Sequence, residues 1–312
     1  MNDKRFTGVV AGVATWAAWF MAFHALADDA GLKITQTPSA VTITRDGKPV
    51  LVYQSTPLPQ KCYVKELFSP AGVQILRDSP ADHKHHHALM YAIGADGVDF
   101  WSEGPANGTQ KPAKLGDAKS EGGKAGFVQD LNWVGPAGKT ILVERRAIEV
   151  APSADGKPGT FVNWNTRFTL PQGADSAKLY GSHYFGLGMR FIVSMDQGGR
   201  FFNSAEKPGE PVRGSESLVA ARWCAYTAKA DGKPVTVAVF DHPKNPRHPN
   251  KFFTMSPFAY ISATLNLWKE PMVLKAGEKL DLRYGVALWD GEVTAEQVEA
   301  LYGKWRELQI AN

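Results

Sequence analysis

Five Asp-Gly pairs constrain the fold more than any other feature of this chain of 312 residues. They begin at positions 46, 96, 155, 231 and 290. Asp-Gly readily supplies the positive φ that a tight hairpin turn requires. The first pair separates the strand-like runs 41–45 and 50–53, and the fourth separates 222–226 from 235–240. Because β-branched and apolar residues flank both turns, the sequence predicts antiparallel hairpins.

Further strand-like runs, each bounded by Gly, Pro, Asn or Asp, indicate a large sheet structure. They cover residues 140–150, 159–170, 188–194 and 280–288. Short strands at this spacing favour a β-sandwich or a barrel. The segment 104–126 is rich in Gly, Lys, Ala and Pro and has little apolar content, which predicts a long surface loop.

One helix is predicted, at the C-terminus. Thr294 and Gln297 have the spacing of a capping box. Apolar side chains then recur at helical intervals, and we expect this face to pack against the sheet. The members of this stripe are Val298, Leu301, Tyr302, Trp305 and Leu308. The predicted fold class is therefore all-β, a large antiparallel β-sandwich with a C-terminal helix.

The first thirty residues are typical of a secretory signal peptide. Two basic residues precede an apolar stretch from 9 to 23, and small residues follow up to Ala27. A membrane anchor is the alternative, but the apolar stretch falls short of the roughly 20 residues that a spanning helix needs. We therefore expect residues 1–27 to be removed, residues 28–312 to form a single domain, and the mature protein to be periplasmic or secreted.

Charge and cysteine content narrow the class of protein further. The 35 Lys and Arg against 31 Asp and Glu give a net charge of +4, with both signs scattered along the chain. This distribution argues against a nucleic-acid partner, and no nucleotide-binding or GxSxG motif is present. Cys62 and Cys224 could form a disulfide in an oxidising compartment. They could equally be two buried thiols.

Histidine is concentrated in the segment 82–87, which holds four of the eight histidines. On an extended segment His83, His85 and His87 project to one side, and His86 projects to the other. Imidazoles two residues apart can share a metal ion or hold a polyhydroxyl ligand, and they suit acid/base catalysis. A divalent metal on His83 and His85 is therefore one prediction, although the cofactor is left open. The structural alternative is a polar turn whose histidines bind backbone groups.

A second polar cluster follows an apolar strand that ends at Phe240. Three prolines between 241 and 249 stiffen this loop, so it can hold side chains in place at little cost in entropy. The alternative is a proline-rich turn with surface charges. The candidate ligand-binding residues of this cluster are Asp241, His242, Asn245, Arg247 and His248.

Other candidate residues lie outside the two clusters. His183 and Arg190 belong to a glycine-interrupted strand, which often marks a close approach of backbone to ligand. Trp101 offers an aromatic face of the kind that stacks on sugar rings. Glu270 and Asp241 adjoin apolar runs, where burial could raise the pKa of a carboxyl group.

Five motifs occur in order along the chain: Ser69 to Val73, Asp82 to His86, Gly97 to Trp101, Phe185 to Arg190, and Asp241 to Pro249. Together they resemble the PmoA-like bacterial proteins, a family named after a methane monooxygenase subunit. The resemblance covers most of the mature chain, although Lys84, His87 and Ala88 stand where that family has Pro, Arg and Gly. The family name implies copper and methane oxidation. More remotely, the family is similar to the galactose-mutarotase-like β-supersandwich, whose sites use histidines and a carboxylate on sugars.

The leading hypothesis is a secreted protein that binds or transforms a carbohydrate or a sugar derivative in a pocket lined by both His-rich segments. Its reaction would be that of an isomerase, a lyase or a hydrolase. The alternatives are a sugar-binding module without catalysis and the metal-dependent oxygenase that the family name suggests. The predicted catalytic residues are His83, His86, His183, Asp241 and Glu270. The predicted substrate-binding residues are His85, Trp101, Arg190, His242, Asn245, Arg247 and His248.

Overall fold

The computed structural model describes residues 31–157 and 159–310. The predicted signal peptide, residues 1–27, lies outside these ranges. Within them the chain forms 23 strands, one 3₁₀ turn at Val193–Met195 and one α-helix. The strands are β1 (Leu32–Gln36), β2 (Ala40–Arg45), β3 (Lys48–Gln54), β4 (Tyr63–Leu67), β5 (Leu89–Ala92), β6 (Gly94–Ala95), β7 (Val98–Asp99), β8 (Thr109–Leu115), β9 (Lys119–Glu121), β10 (Lys124–Val134), β11 (Thr140–Ala151), β12 (Thr160–Thr169), β13 (Ser176–Tyr180), β14 (Gly186–Arg190), β15 (Arg200–Asn203), β16 (Glu210–Arg213), β17 (Glu216–Ala220), β18 (Trp223–Ala230), β19 (Lys233–Asp241), β20 (Lys251–Met255), β21 (Tyr260–Thr264), β22 (Met272–Lys275) and β23 (Leu280–Asp290); the helix is α1 (Ala295–Ile310).

Two large antiparallel sheets and one small sheet contain all of these strands. The first sheet has ten strands in the order β1-β2-β3-β4-β5-β14-β21-β20-β17-β16. The second has nine, in the order β15-β18-β19-β23-β12-β11-β10-β8 with β9 beside β10, and the small sheet has the order β22-β13-β6-β7. The prediction of an all-β antiparallel fold with a C-terminal helix is confirmed.

The two large sheets pack against each other through a common core. Tyr53 of β3 and Phe127 of β10 have ring centroids 4.8 Å apart, and the Tyr53 hydroxyl donates a 2.6 Å hydrogen bond to Gln129. Arg146 of β11 lies fully buried in this layer, where its guanidinium donates two hydrogen bonds of 2.8 and 2.9 Å to the buried carboxylate of Glu144. Such a buried cation is tolerated because its donors are occupied.

The two hairpins inferred from Asp-Gly pairs are present. Asp46-Gly47 connects β2 to β3, and Asp231-Gly232 connects β18 to β19. Both residues of each pair have positive φ, at 51° and 77° in the first turn and at 47° and 81° in the second. This is the conformation that makes Asp-Gly favourable in two-residue hairpins.

Two local predictions are wrong. The segment 104–126 is not a long loop, because it contains β8, β9 and the start of β10. Strand β8 is at the edge of its sheet, where exposed Lys residues and Pro112 are tolerated, and these residues made the segment look like a loop. The strand expected over 188–194 begins at Gly186 and ends at Arg190.

The helix α1 covers part of the nine-stranded sheet. Its capping box is formed, since the Thr294 amide donates to the Gln297 side chain at 2.8 Å and the Gln297 amide donates to the Thr294 hydroxyl at 3.4 Å. Four residues of the predicted stripe pack into a cluster with sheet aromatics, whereas Leu308 is 56% exposed and is a correction to that stripe. The four are Val298, Leu301, Tyr302 and Trp305.

Cys62 and Cys224 are both buried free thiols. Of the two alternatives, a disulfide or two separate thiols, the structure therefore shows the second. Burial raises the pKa of each thiol to about 12, which keeps both protonated.

Across residues 31–157 and 159–310, no helix combines the length and the apolar character that crossing a bilayer requires.

Candidate functional site

The first histidine cluster lies on two consecutive turns between Ser79 and His87. The His83 amide donates to the Pro80 carbonyl at 3.0 Å, and the His86 amide donates to the His83 carbonyl at 2.9 Å. The Ser79 amide closes the loop by donating to the His86 carbonyl at 2.9 Å. The extended geometry expected from the sequence is therefore wrong, and so is the alternation that placed His83 and His87 on one side.

The turns bring three imidazole rings together. His83 and His86 stack with ring centroids 4.6 Å apart, and His85 packs edge-on against His86 at 4.7 Å. These rings form one wall of a cavity of about 300 Å³. The cavity is lined by His83, His85, His86, Tyr184, Arg213, Glu216, Phe253, Met255, Phe258 and Tyr260. Aromatic faces thus surround a small set of polar groups, as in many small-molecule sites.

Burial sets the protonation state of two of these histidines. It lowers the pKa of His86 to about 2, with smaller contributions from the neighbouring His85 and His83. Burial also lowers the pKa of His85, and the positive charge of Lys61 acts in the same direction. Both rings are therefore neutral at neutral pH, and each carries one donor and one acceptor nitrogen.

His87 faces away from the cavity into a buried ionic cluster. Its Nδ1 lies 2.7 Å from an Asp78 oxygen and its Nε2 lies 2.8 Å from Glu103. Glu103 also receives a 2.8 Å hydrogen bond from the buried ammonium of Lys61. Burial opposes protonation of His87, but the hydrogen bonds to Asp78 and Glu103 outweigh it and raise its pKa. The cluster anchors the C-terminal end of the histidine turn.

Glu216, at the start of β17, is a cavity-lining carboxylate that the sequence reasoning missed. Its Oε2 lies 2.9 Å from Nε2 of His183, and its Oε1 accepts a 2.7 Å hydrogen bond from Arg213. Glu216 lines the cavity, whereas His183 lies behind it, in contact with Glu216 and with the lining rings of Tyr184 and Phe253. No sequence motif marks Glu216, because its neighbours in the site come from distant parts of the chain. Phe258 and Tyr260 were missed for the same reason.

Trp101 and Arg190 lie behind the cavity wall and are each 1% exposed. Trp101 stacks on Phe185 with centroids 4.9 Å apart and approaches His86 edge-on at 6.0 Å. The guanidinium carbon of Arg190 lies 3.9 Å from the centroid of the Phe258 ring. Neither residue contributes to the present lining of the cavity.

The second predicted cluster is a self-contained hydrogen-bond network. The buried carboxylate of Asp241 contacts Nδ1 of His248 at 2.6 Å and accepts hydrogen bonds from both Asn245 and Asn250. Asn245 also pairs with the backbone of Arg283 in both directions. Every acceptor position of Asp241 is thus occupied by its own loop, which contradicts its predicted role as a base.

The other members of this cluster are also structural. His242 is fully buried beside Trp305 of α1. Arg247 donates to the Leu265 carbonyl at 2.6 Å, and its Nε lies 3.8 Å from the exposed carboxylate of Glu270. None of the residues predicted between 241 and 248, nor Glu270, lines the histidine cavity. The expectation of one pocket shared by both segments is therefore wrong.

The described part of the fold adds no further ligand to the metal site predicted on His83 and His85. His83 and His85 have ring centroids 6.0 Å apart. Within the described part of the chain, no group of three or more His, Cys, Asp or Glu side chains is arranged to hold a metal ion. A metal on His83 and His85 stays a prediction from the sequence.

Three solved structures show distant similarity to this fold. The galactosidase domain of an alpha-galactosidase-sucrose kinase has a TM-score of 0.45 and 12% identity, and the match covers 83% of this chain and 42% of that one. A galactose mutarotase related enzyme from Lactobacillus acidophilus has a TM-score of 0.40 and 8% identity, covering 84% and 100%. A polysaccharide lyase has a TM-score of 0.33 and 10% identity, covering 88% and 34%. Similarity at this level assigns neither an activity nor a ligand to this chain.

Comparison at the sequence level corrects the predicted family. No curated protein matches the chain. The family that matches is described as one of unknown function, and nothing points to PmoA. The resemblance to the PmoA-like proteins is therefore wrong, and the hypothesis of a copper oxygenase that came with it has no support. The match extends over residues 40–303, and the chain therefore belongs to the family of unknown function DUF6807.

Proposed function

We propose that the histidine cavity binds a monosaccharide or a single sugar residue and transfers a proton to or from it. The observation that carries this proposal is the convergence of three imidazoles and one carboxylate on a cavity walled by Phe253, Phe258 and Tyr260. Aromatic faces pack against the C–H face of a sugar ring, while its hydroxyls require polar partners within reach.

The polar groups that line the cavity form two sets. One set is the stacked imidazoles of His83, His85 and His86, and the other is the Glu216 carboxylate with Arg213. A neutral imidazole can both donate to and accept from a hydroxyl group. A sugar in this cavity would therefore have partners for several of its hydroxyls.

His85 is the proposed proton acceptor. It is half-buried, and burial lowers its pKa, which leaves the ring in the neutral form that a proton acceptor requires. His86 is less suitable, because a pKa of about 2 makes its ring a very weak base; we assign it to hydroxyl binding. The reaction would be an isomerisation, elimination or hydrolysis at a sugar carbon. We further propose that the protein acts in the periplasm or outside the cell.

Calorimetric titration with a panel of monosaccharides tests the binding step. We expect at least one sugar to bind the wild-type protein, and its affinity to fall about tenfold in His85→Phe because the ring is kept but a hydroxyl partner is lost. Lys84→Gln is the matched control, since Lys84 lies on the same turns but does not line the cavity. Absence of binding across the panel, or full affinity in His85→Phe, would contradict the proposal.

Proton NMR of the bound sugar in D₂O separates an enzyme from a sugar-binding module. Turnover or exchange of a sugar C–H for deuterium in the wild-type protein, lost in His85→Gln, is expected for an enzyme with His85 as the proton acceptor. Binding with neither turnover nor exchange would identify a binding module instead.

A further inference from the structure

Arg190, at the end of β14, is a buried cation with unused hydrogen-bond donors. Arg190 is 1% exposed. Neither Nε nor Nη1 of its guanidinium has a hydrogen-bond partner among the described residues. Its Nη2 lies 3.6 Å from an Asp82 oxygen and 3.9 Å from an Asp196 oxygen. These distances allow electrostatic attraction but exceed a hydrogen bond. A buried guanidinium that lacks hydrogen bonds is costly, which calls for an acceptor to complete it.

Other polar atoms without a partner among the described residues lie nearby, and none of them belongs to a negatively charged group. They include Nε1 of Trp101, which only donates, and Nδ1 of His86 and the Tyr260 hydroxyl, which can accept but carry no charge. The rings of Trp101 and His86 are 6.0 Å apart. Among the described residues, the region behind the histidine wall therefore has no carboxylate within hydrogen-bond distance of the Arg190 guanidinium.

Phe258 separates Arg190 from the cavity. This side chain lines the cavity, and its ring centroid lies 3.9 Å from the guanidinium carbon of Arg190. Phe258 belongs to the turn 256–259 between β20 and β21 and is only partly buried. The Phe258 ring therefore lies between the guanidinium and the cavity, on a turn rather than on a strand.

We propose that the sugar bound in this cavity carries a carboxylate, which Arg190 binds when Phe258 turns aside. This inference rests on the proposed function, because it names the class of sugar for the same site. A carboxylate matches a guanidinium in charge and accepts two parallel hydrogen bonds from it, which a sugar hydroxyl cannot do. Asp82 is about half exposed, so solvent weakens its hold on Arg190.

Matched pairs of sugars test this inference by calorimetry. The probes are D-glucuronate against D-glucose and D-galacturonate against D-galactose at neutral pH. We expect at least one acid to bind about tenfold or more tightly than its neutral partner, and this preference to weaken at high salt. In Arg190→Gln the acid should bind no better than the neutral sugar, and Arg190→Lys should restore part of the preference.

Controls separate this inference from the proposed function. Arg167→Gln removes an exposed arginine paired with Asp281 outside the cavity, and should keep the preference for the acid. If the neutral sugars bind as tightly as the acids, the inference is overturned and the proposed function stands. If neither kind binds, the proposed function itself fails. Should Arg190→Gln not fold, Arg190→Lys and Arg213→Gln decide: an acid-to-neutral ratio that is lost only in Arg213→Gln overturns the inference, because Arg213 also lines the cavity.

Discussion

His183 lies in the connection between β13 and β14, Glu216 begins β17, and Nε2 of the histidine lies 2.9 Å from Oε2 of the carboxylate. The other carboxylate oxygen accepts a hydrogen bond from Arg213, whose side chain is largely exposed. Glu216 is held on both sides and still forms part of the cavity wall. This arrangement fixes the direction in which the carboxylate faces a ligand.

Glu216→Gln should reduce sugar affinity about tenfold, because the amide keeps the volume but loses the charge that accepts hydrogen bonds from a ligand. Calorimetric titration measures the change. Glu210→Gln is the matched control, since Glu210 lies on the neighbouring strand β16 with a side chain that is 78% exposed. Equal affinity for wild type and Glu216→Gln would place this carboxylate outside the binding site.

Acid should destabilise the protein through His86. Burial lowers the pKa of His86 in the folded state to about 2, whereas the unfolded chain has an ordinary value near 6.5. Below about pH 6.5 the unfolded state therefore takes up a proton that the folded state does not. Above pH 6.5 the titration of His86 therefore does not affect stability. Below that value it lowers the free energy of unfolding by about 1.4 kcal/mol per pH unit.

The variant His86→Phe isolates this effect, because it keeps an aromatic ring at the position and removes the titrating group. Urea unfolding at pH 5 and pH 7 should show the wild-type protein losing about 2 kcal/mol more than the variant over that interval. Parallel loss of stability in both proteins would mean that His86 titrates normally in the folded state.

Asp241→Asn should damage the fold and leave the cavity intact. The carboxylate accepts hydrogen bonds from Asn245 and Asn250 and contacts His248 while fully buried. Its replacement turns an acceptor into a donor facing other donors, and we expect a loss of about 2–4 kcal/mol in the free energy of unfolding. Sugar affinity, measured well below the unfolding temperature, should stay at the wild-type level. Reduced affinity with unchanged stability would instead support a role for Asp241 in binding.

Arg146→Met should be strongly destabilising, because it leaves the Glu144 carboxylate buried without its counter-ion. We expect a loss of about 3–5 kcal/mol in urea unfolding. The adjacent Arg145→Met is the control. Arg145 points to the other face of β11, is 60% exposed and pairs with Asp130, so its loss should cost less than about 1 kcal/mol. Similar losses in the two variants would refute the assignment of Arg146 to the stabilising layer between the sheets.

The prediction from sequence succeeded where structure depends on neighbouring residues. Asp231-Gly232 specifies a turn through the φ angles of two residues, and Thr294 with Gln297 specifies a helix start through contacts three residues apart. The prediction failed at β8, because a sheet edge admits the residues that also make up loops. It failed again at the histidines, where two turns replaced the assumed extended segment.

The sequence by itself determined an antiparallel β protein with a C-terminal helix, because turn residues and side-chain periodicity act over a few residues. It also identified His83, His85 and His86 as a dense set of imidazoles. Only the tertiary structure decided that Glu216 joins them and that the Asp241 cluster does not. Which side chains share a cavity depends on strand order and sheet packing, and those bring together residues more than a hundred positions apart in a way that no local pattern records.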